Sequence, residues 1–182
     1  GAAEIVAGYD ASADVRVRAA AMGLGEITET AAEAVTGADL VILAVPVGAV
    51  GLVAEAIAPY LAAGATVSDT GSVKESILRD VAPHLPEGVH LVPSPPVAGT
   101  EFSGPDAGFA TLFEKRWCIL TPAEGTDPAV VERVAAFWRG LGSKTELMDA
   151  AHHDRVLAIT SHLPHLIAYT IVGTATDLED AL

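Results

Sequence analysis

Cysteine occurs once among the 182 residues, as Cys118, which excludes an internal disulfide framework and suits a reducing compartment. Basic side chains are scarce. Ten Lys and Arg stand against 24 Asp and Glu, leaving a formal charge of −14. Nucleic acid and anionic membrane surfaces both demand a basic face, so neither is an expected partner. No basic-then-apolar leader opens the chain, so nothing points to export. The uncharged run at 40–54 carries Pro46, Gly48 and Gly51 and is too short to cross a bilayer. Internal repeats and low-complexity linkers are also missing. What the chain has in quantity is apolar: 51% hydrophobic against 19% charged residues, enough for a core and too much for general disorder. Its length fits one domain, or one domain and part of another.

Two textures alternate along the chain. Short β-rich apolar runs fall at 4–9, 40–45, 65–68, 89–92 and 117–120, with a further strand expected at 144–147. Ala-rich stretches of helical periodicity lie between them, at 13–22, 30–35, 47–61, 73–85 and 128–141. Continuous apolar strands separated by helices mark an α/β protein with a mostly parallel sheet and helices on both faces. Thr126-Asp127-Pro128 supplies a cap and a first-turn proline, and Gly140 and Gly142 stop the helix that follows. Gly64 ends the helix that carries Pro59. After Leu147 the alternation ceases. Asp149 reads as the N-cap of one long apolar helix reaching about Ala175, with Pro164 inside it removing a donor and freeing the carbonyl of Thr160. Such a helix needs partners for its sides, so a second, helical domain is expected to begin there. The whole predicts a soluble, acidic, intracellular protein.

Several residues could carry chemistry. Asp10 ends the first strand found in this chain, whereas a nucleotide-binding α/β unit carries the acid that receives ribose hydroxyls at the end of its second strand. It also reads as an ordinary strand-end or capping aspartate. The phosphate turn that should precede such an acid is not found, since no G-x-G-x-x-G occurs anywhere. Asp69-Thr70-Gly71-Ser72-Val73-Lys74 lies at a strand's carboxyl end and opens a helix, the place where open α/β sheets bind ligands. Ser72 can there cap the helix or reach a ligand. Residues 92–101, VPSPPVAGTE, form a stiff extended loop that brings Thr100 and Glu101 to the same edge. On the long helix, His162 and His165 share a face, and Ser161 stands four residues before His165. No metal site is expected, because carboxylate and cysteine partners at ligand spacing are missing. Cys118, Trp117 and Trp138 read as core.

Taken in order and spacing, DTGSVK, PVAGTEFSGPDAGF, WCILTP and HHDRVLAITSHLPHLIAY resemble the prephenate/arogenate (cyclohexadienyl) dehydrogenases of tyrosine biosynthesis. The resemblance runs from Gly8-Tyr9-Asp10 to the end of the chain. It implies a Rossmann-like nucleotide-binding domain over 1–148, incomplete at its N-terminus. An all-helical dimerisation domain begins at 149 and is incomplete within 149–182. It further implies a cytoplasmic enzyme, dimeric when complete, that oxidises prephenate or arogenate with loss of carbon dioxide. By the same resemblance Asp10 is the ribose-binding acid and favours NAD over NADP, and Val45 and Pro46 lie along the cofactor. Ser72 is implied to be catalytic and to touch the cofactor as well, holding the substrate hydroxyl beside the nicotinamide. His165 is implied to be catalytic and to bind the substrate, with Thr100 and Ser161 lining its pocket.

The chain departs from that pattern at one chemically decisive place. The family carries His-Pro before its AGTE segment, and that histidine pairs with the reacting hydroxyl; here the pair is Pro95-Pro96. Proline offers neither a lone pair nor a proton, so the general base is missing where it is expected. A non-catalytic binding or interaction module on the same scaffold is the rival reading. The retained set of Asp10, Ser72, Thr100, Ser161 and His165 argues against it.

Overall fold

The computed structural model describes residues 2–99 and 102–180. Strand β3 (Leu40–Leu43) shows how the layers arise. Successive side chains of a strand point to opposite faces. Val41 and Leu43 accordingly enter one core with Val50, Ala54 and Ile57 of α3 (Val50–Ile57) and Ile77 and Val81 of α4 (Lys74–Val81). Leu40 and Ile42 turn the other way, onto a second core built on Val130, Val134 and Trp138 of α5 (Pro128–Gly140). Helices therefore cover both faces, as the alternation predicts.

Strand β4 (Thr66–Asp69) is buried along its whole length between β3 and β5 (His90–Leu91), parallel to both, with Leu40 opposite Thr66 and Leu43 opposite Asp69. Beyond β5 the chain does not simply leave the sheet. Amides of Thr121 and Ile119 donate to the carbonyls of Pro93 (2.9 Å) and Pro95 (3.2 Å), and Val97 donates to Trp117 (2.7 Å). Residues 93–97 thus run antiparallel to β6 (Trp117–Leu120). The prolines there present only acceptors, because they have no amide to give back. Strand β7 (Lys144–Leu147) closes that side, parallel to β6. The loop read from sequence as a stiff connector is therefore the seam that joins two groups of strands.

At the other end, β1 (Ala7–Gly8) pairs in parallel with β2 (Glu26–Ile27). Strand β2 was not expected, since it has a single apolar residue and no period to read. Gly25 makes the pairing possible. Its φ is +142°, and a Cβ there would sit 2.5 Å from the carbonyl oxygen of Val6. Helix α1 (Ala13–Ala21) joins β1 to β2, and α2 (Ala31–Val35) follows with a reciprocal capping box between Thr30 and Glu33.

Asp127 caps α5 through the Ala129 amide, and Asp149 caps α6 (Ala150–Leu157) through the His152 amide, as the sequence predicts. Helix α6 passes through a π-helical turn at Ala158–His162 into α7 (Leu163–Asp180). The cause is Pro164. An interior proline cannot satisfy the i→i−4 ladder, and the Leu163 amide reaches back five residues to the Ala158 carbonyl instead. Described residues from 163 to 177 are all exposed, including Leu166, Ile167, Tyr169, Ile171 and Val172. The helical stretch Ala150–Asp177 is long and apolar enough to cross a membrane by length and composition, a property it shares with many helices that pack against protein. Trp138 is core, as expected. Trp117 is not: it is 46% exposed on the face of β6 opposite Cys118, with the Lys144 ammonium 5.4 Å from its ring centre.

Candidate active site at the carboxyl ends of the strands

Asp10, Val45-Pro46 and Ser72 follow the carboxyl ends of β1, β3 and β4, where the helices that come next begin. The Ser72 turn is the most firmly built of the three. Asp69, the last residue of β4, and Lys74, the first of α4, are both inaccessible to solvent. The Lys74 ammonium donates to Asp69 Oδ2, which also accepts the Gly71 amide at 2.7 Å. Among the described residues, Asp69 Oδ1 is buried with no hydrogen-bond partner. Burial pushes the Asp69 carboxyl above its ordinary range despite the pull of Lys74, and pushes the Lys74 ammonium down despite the pull of Asp69. Gly71 is required by the tightness of the turn. A Cβ there would meet both Asp69 Oδ2 and Val47 Cγ2 at 3.0 Å. The turn leaves Ser72 at its tip, exposed, its hydroxyl unbonded among the described residues.

Ser72 is not the cap of α4. That position belongs to Val73, whose side chain has no acceptor. The orphan amides of Lys74 and Glu75 donate instead to Asp154 of α6, at 2.7 and 2.9 Å, and buried His153 bonds the same carboxylate through Nδ1 at 2.9 Å. Partial burial works to raise the Asp154 carboxyl, but the two amides and His153 hold it below its ordinary value. Sequence reading missed both this cap and the Asp69–Lys74 pair. The second had a signal, an acid and a base at the two ends of one six-residue motif. The first had none, because its partners are 80 residues apart.

Asp10 is exposed; its Oδ1 accepts the Ser12 amide (2.8 Å), and its backbone carbonyl accepts Arg16 (2.8 Å). Its second oxygen has no hydrogen-bond partner among the described residues. Val45 packs on the first core, and Pro46 starts the turn into α3 by accepting the Ala49 amide. Pro95 is buried in the seam beside Ser94. The Ser94 hydroxyl contacts that of Ser68 and accepts Trp138 Nε1 (2.7 Å), while its carbonyl accepts the Cys118 thiol. Burial pushes that thiol up to about 12, which removes it from nucleophilic chemistry.

Ser161 lies half-buried in the π-helical turn and His165 is exposed on α7. They stand seven and eleven residues beyond Asp154, ~10 and ~16 Å along the helix from the contact with α4. The root of this helix is thus fixed at the Ser72 turn, while His165 projects away from it. Thr100 lies outside the described residues. Among the described residues, no group of three or more His, Cys, Asp or Glu side chains is gathered as metal ligands.

The family model for the prephenate dehydrogenase nucleotide-binding domain matches residues 1–147, and that for the prephenate dehydrogenase dimerization domain matches 149–182. A cyclohexadienyl dehydrogenase of Zymomonas mobilis is 48% identical over 94% of this chain and 58% of its own length. A prephenate dehydrogenase of Bacillus subtilis is 32% identical over 92% of this chain and 46% of its own. The chain spans about half the length of the curated relatives it matches. The crystal structure of Aquifex aeolicus prephenate dehydrogenase in complex with hydroxyphenyl propionate and NAD+ superposes with a TM-score of 0.85 at 32% identity, covering 93% of this chain and 59% of that one. With both family models matched end to end along the fold described above, the chain belongs to the prephenate dehydrogenase family.

Proposed function

We propose that this chain forms the cofactor site and one wall of the substrate site of an NAD-dependent dehydrogenase that oxidatively decarboxylates prephenate or arogenate, working as a homodimer. The observation that carries the reading is the Ser72 turn, a rigid platform at the carboxyl end of β4 whose hydroxyl is exposed and uncommitted, in a chain of this family.

The residues fit a dinucleotide in part. The unbonded oxygen of Asp10 suits a ribose hydroxyl, and its charge disfavours a 2′-phosphate there, which supports NAD over NADP. Val45 and Pro46 offer an apolar edge beside Ser72. No residue set in the sequence supplies the glycine cradle for the pyrophosphate. A nicotinamide held by these residues would supply the hydride acceptor for a substrate ring that becomes aromatic. The protein's part is position and electrostatics. Ser72 holds the substrate hydroxyl, and Ser161, His165 and Thr100 contact the rest of the ring substrate.

Pro95 favours a second reading, binding without turnover. It is buried, its carbonyl is bonded to Ile119, and it cannot take the proton that the hydroxyl must lose. One series of measurements separates the two. Calorimetric titration with NAD+ is expected to give heat of binding, and its absence would refute the nucleotide site. Absorbance of reduced cofactor with prephenate or arogenate is expected to rise slowly. Pro95→His should then accelerate it about 10²–10⁴-fold, the usual worth of a general base. An unmoved rate in that variant would show that position 95 is not where the proton goes.

A further inference from the structure

We propose that Asp154 is a positioning residue for Ser72, so that affinity for the ring substrate depends on a carboxylate carried by α6. The inference rests on Ser72 holding the substrate hydroxyl, as proposed above.

The turn containing Ser72 has two ends. The leading end is tied to β4 by Asp69, which holds Lys74 and the Gly71 amide. The trailing end is the first turn of α4, and nothing local secures it. A serine just before a helix ordinarily turns its hydroxyl back onto the first free amides. Ser72 does not, and Val73 cannot. Asp154 does the work from outside, Oδ1 accepting from Lys74 and Oδ2 from Glu75, one amide to each oxygen. A carboxylate at this end is also favoured by the helix dipole. Its orientation is set by His153, which is buried and bonded to Oδ1, and by the Asp149 cap that starts α6.

Two consequences follow for the site. The Ser72 hydroxyl is released from capping and left free for a ligand. The helix bearing Ser161 and His165 is docked onto the same turn, so both sides of the substrate site share one reference point. Asp154 touches no reacting atom, and its effect passes through α4.

The test uses the full chain with Asp154→Ala and Asp154→Asn, the second keeping one acceptor oxygen. Hydrogen exchange at the Lys74 and Glu75 amides should quicken in Asp154→Ala and less so in Asp154→Asn. Titration with prephenate in saturating NAD+ should show roughly tenfold weaker binding in Asp154→Ala, the scale of one lost helix cap, with Asp154→Asn in between. The dissociation constant for NAD+ alone should stay within about twofold, since Asp10, Val45 and Pro46 follow β1 and β3 and are not part of the α4 turn that Asp154 caps. Equal weakening for both ligands would mean general loosening and would overturn the proposal, as would unchanged exchange at the two amides. If the unaltered chain binds neither ligand, the reading of Ser72 fails first and takes the proposal with it. That result is distinct from the proposal's own failure, in which the unaltered chain binds both ligands and Asp154→Ala binds prephenate equally well.

Discussion

Lys74 and Asp69 meet where β4 ends, and water reaches neither. Burial moves both toward neutrality, so the pair repays little of its own desolvation, and its worth lies in the shape it gives the Ser72 turn. Stability should show this as non-additivity. Lys74→Met alone leaves a buried carboxylate without its cation and should cost ~3–5 kcal/mol in urea denaturation. Adding Asp69→Asn keeps an acceptor for the Gly71 amide and removes the charge, so the double variant should recover most of that loss. Losses that simply add would mean the two charges are not coupled. Asp154 behaves in the opposite sense. Its folded pKa lies below the unfolded value, so the stability it contributes is present above the unfolded pKa and fades as pH falls through the folded one.

At the level of elements, legibility followed the range of the signal. Strands β3 and β6 announce themselves by continuous apolar runs and helices α3, α4 and α5 by 3.6-residue periods, which are local properties. The caps at Asp127 and Asp149 are local too. Strand β2 is two residues long and is held by pairing, not by its own composition. The seam at 93–97 looks like loop because three of its residues are prolines, and only the amides of β6 reveal it as part of the sheet. The candidate site divides the same way: the DTGS turn is visible as a motif, but its lock from α6 is not. Helix α7 carries a prediction at this scale. Pro164→Ala restores the missing donor, so the π-helical turn should revert to regular α-helix and the thermal midpoint should rise. Losing one extra residue from the turn rotates everything beyond it by ~100°, which would carry His165 to another face. Prephenate binding should therefore weaken while stability improves. A variant that is more stable and binds equally well would show that the face His165 presents does not matter.

For the whole molecule, the contrast lies between a body with two shared cores and a helix that leaves it bare. Residues such as Leu166, Tyr169 and Val172 are each at least 64% exposed, far more apolar surface than a settled monomer shows. The dimerization-domain match over 149–182 makes a second protein surface the expected cover, although the stretch would also satisfy the length of a bilayer span. Analytical ultracentrifugation should find the chain self-associated at micromolar concentration. Ile167→Glu with Ile171→Glu, one turn apart on the same face, should shift it toward monomer. A chain that sediments as a monomer throughout would remove the case for pairing through this helix.

The two tryptophans give this molecule an optical handle of its own. Trp138 is enclosed, hydrogen-bonded to Ser94 and set edge-on to Phe113 with ring centres 5.2 Å apart, whereas Trp117 looks into solvent beside Lys144. Excitation of the indoles should therefore yield a blue emitter shielded from iodide and a red one that iodide quenches. The shielded one sits against the residue next to Pro95, so its emission would register, without any added label, whatever changes there.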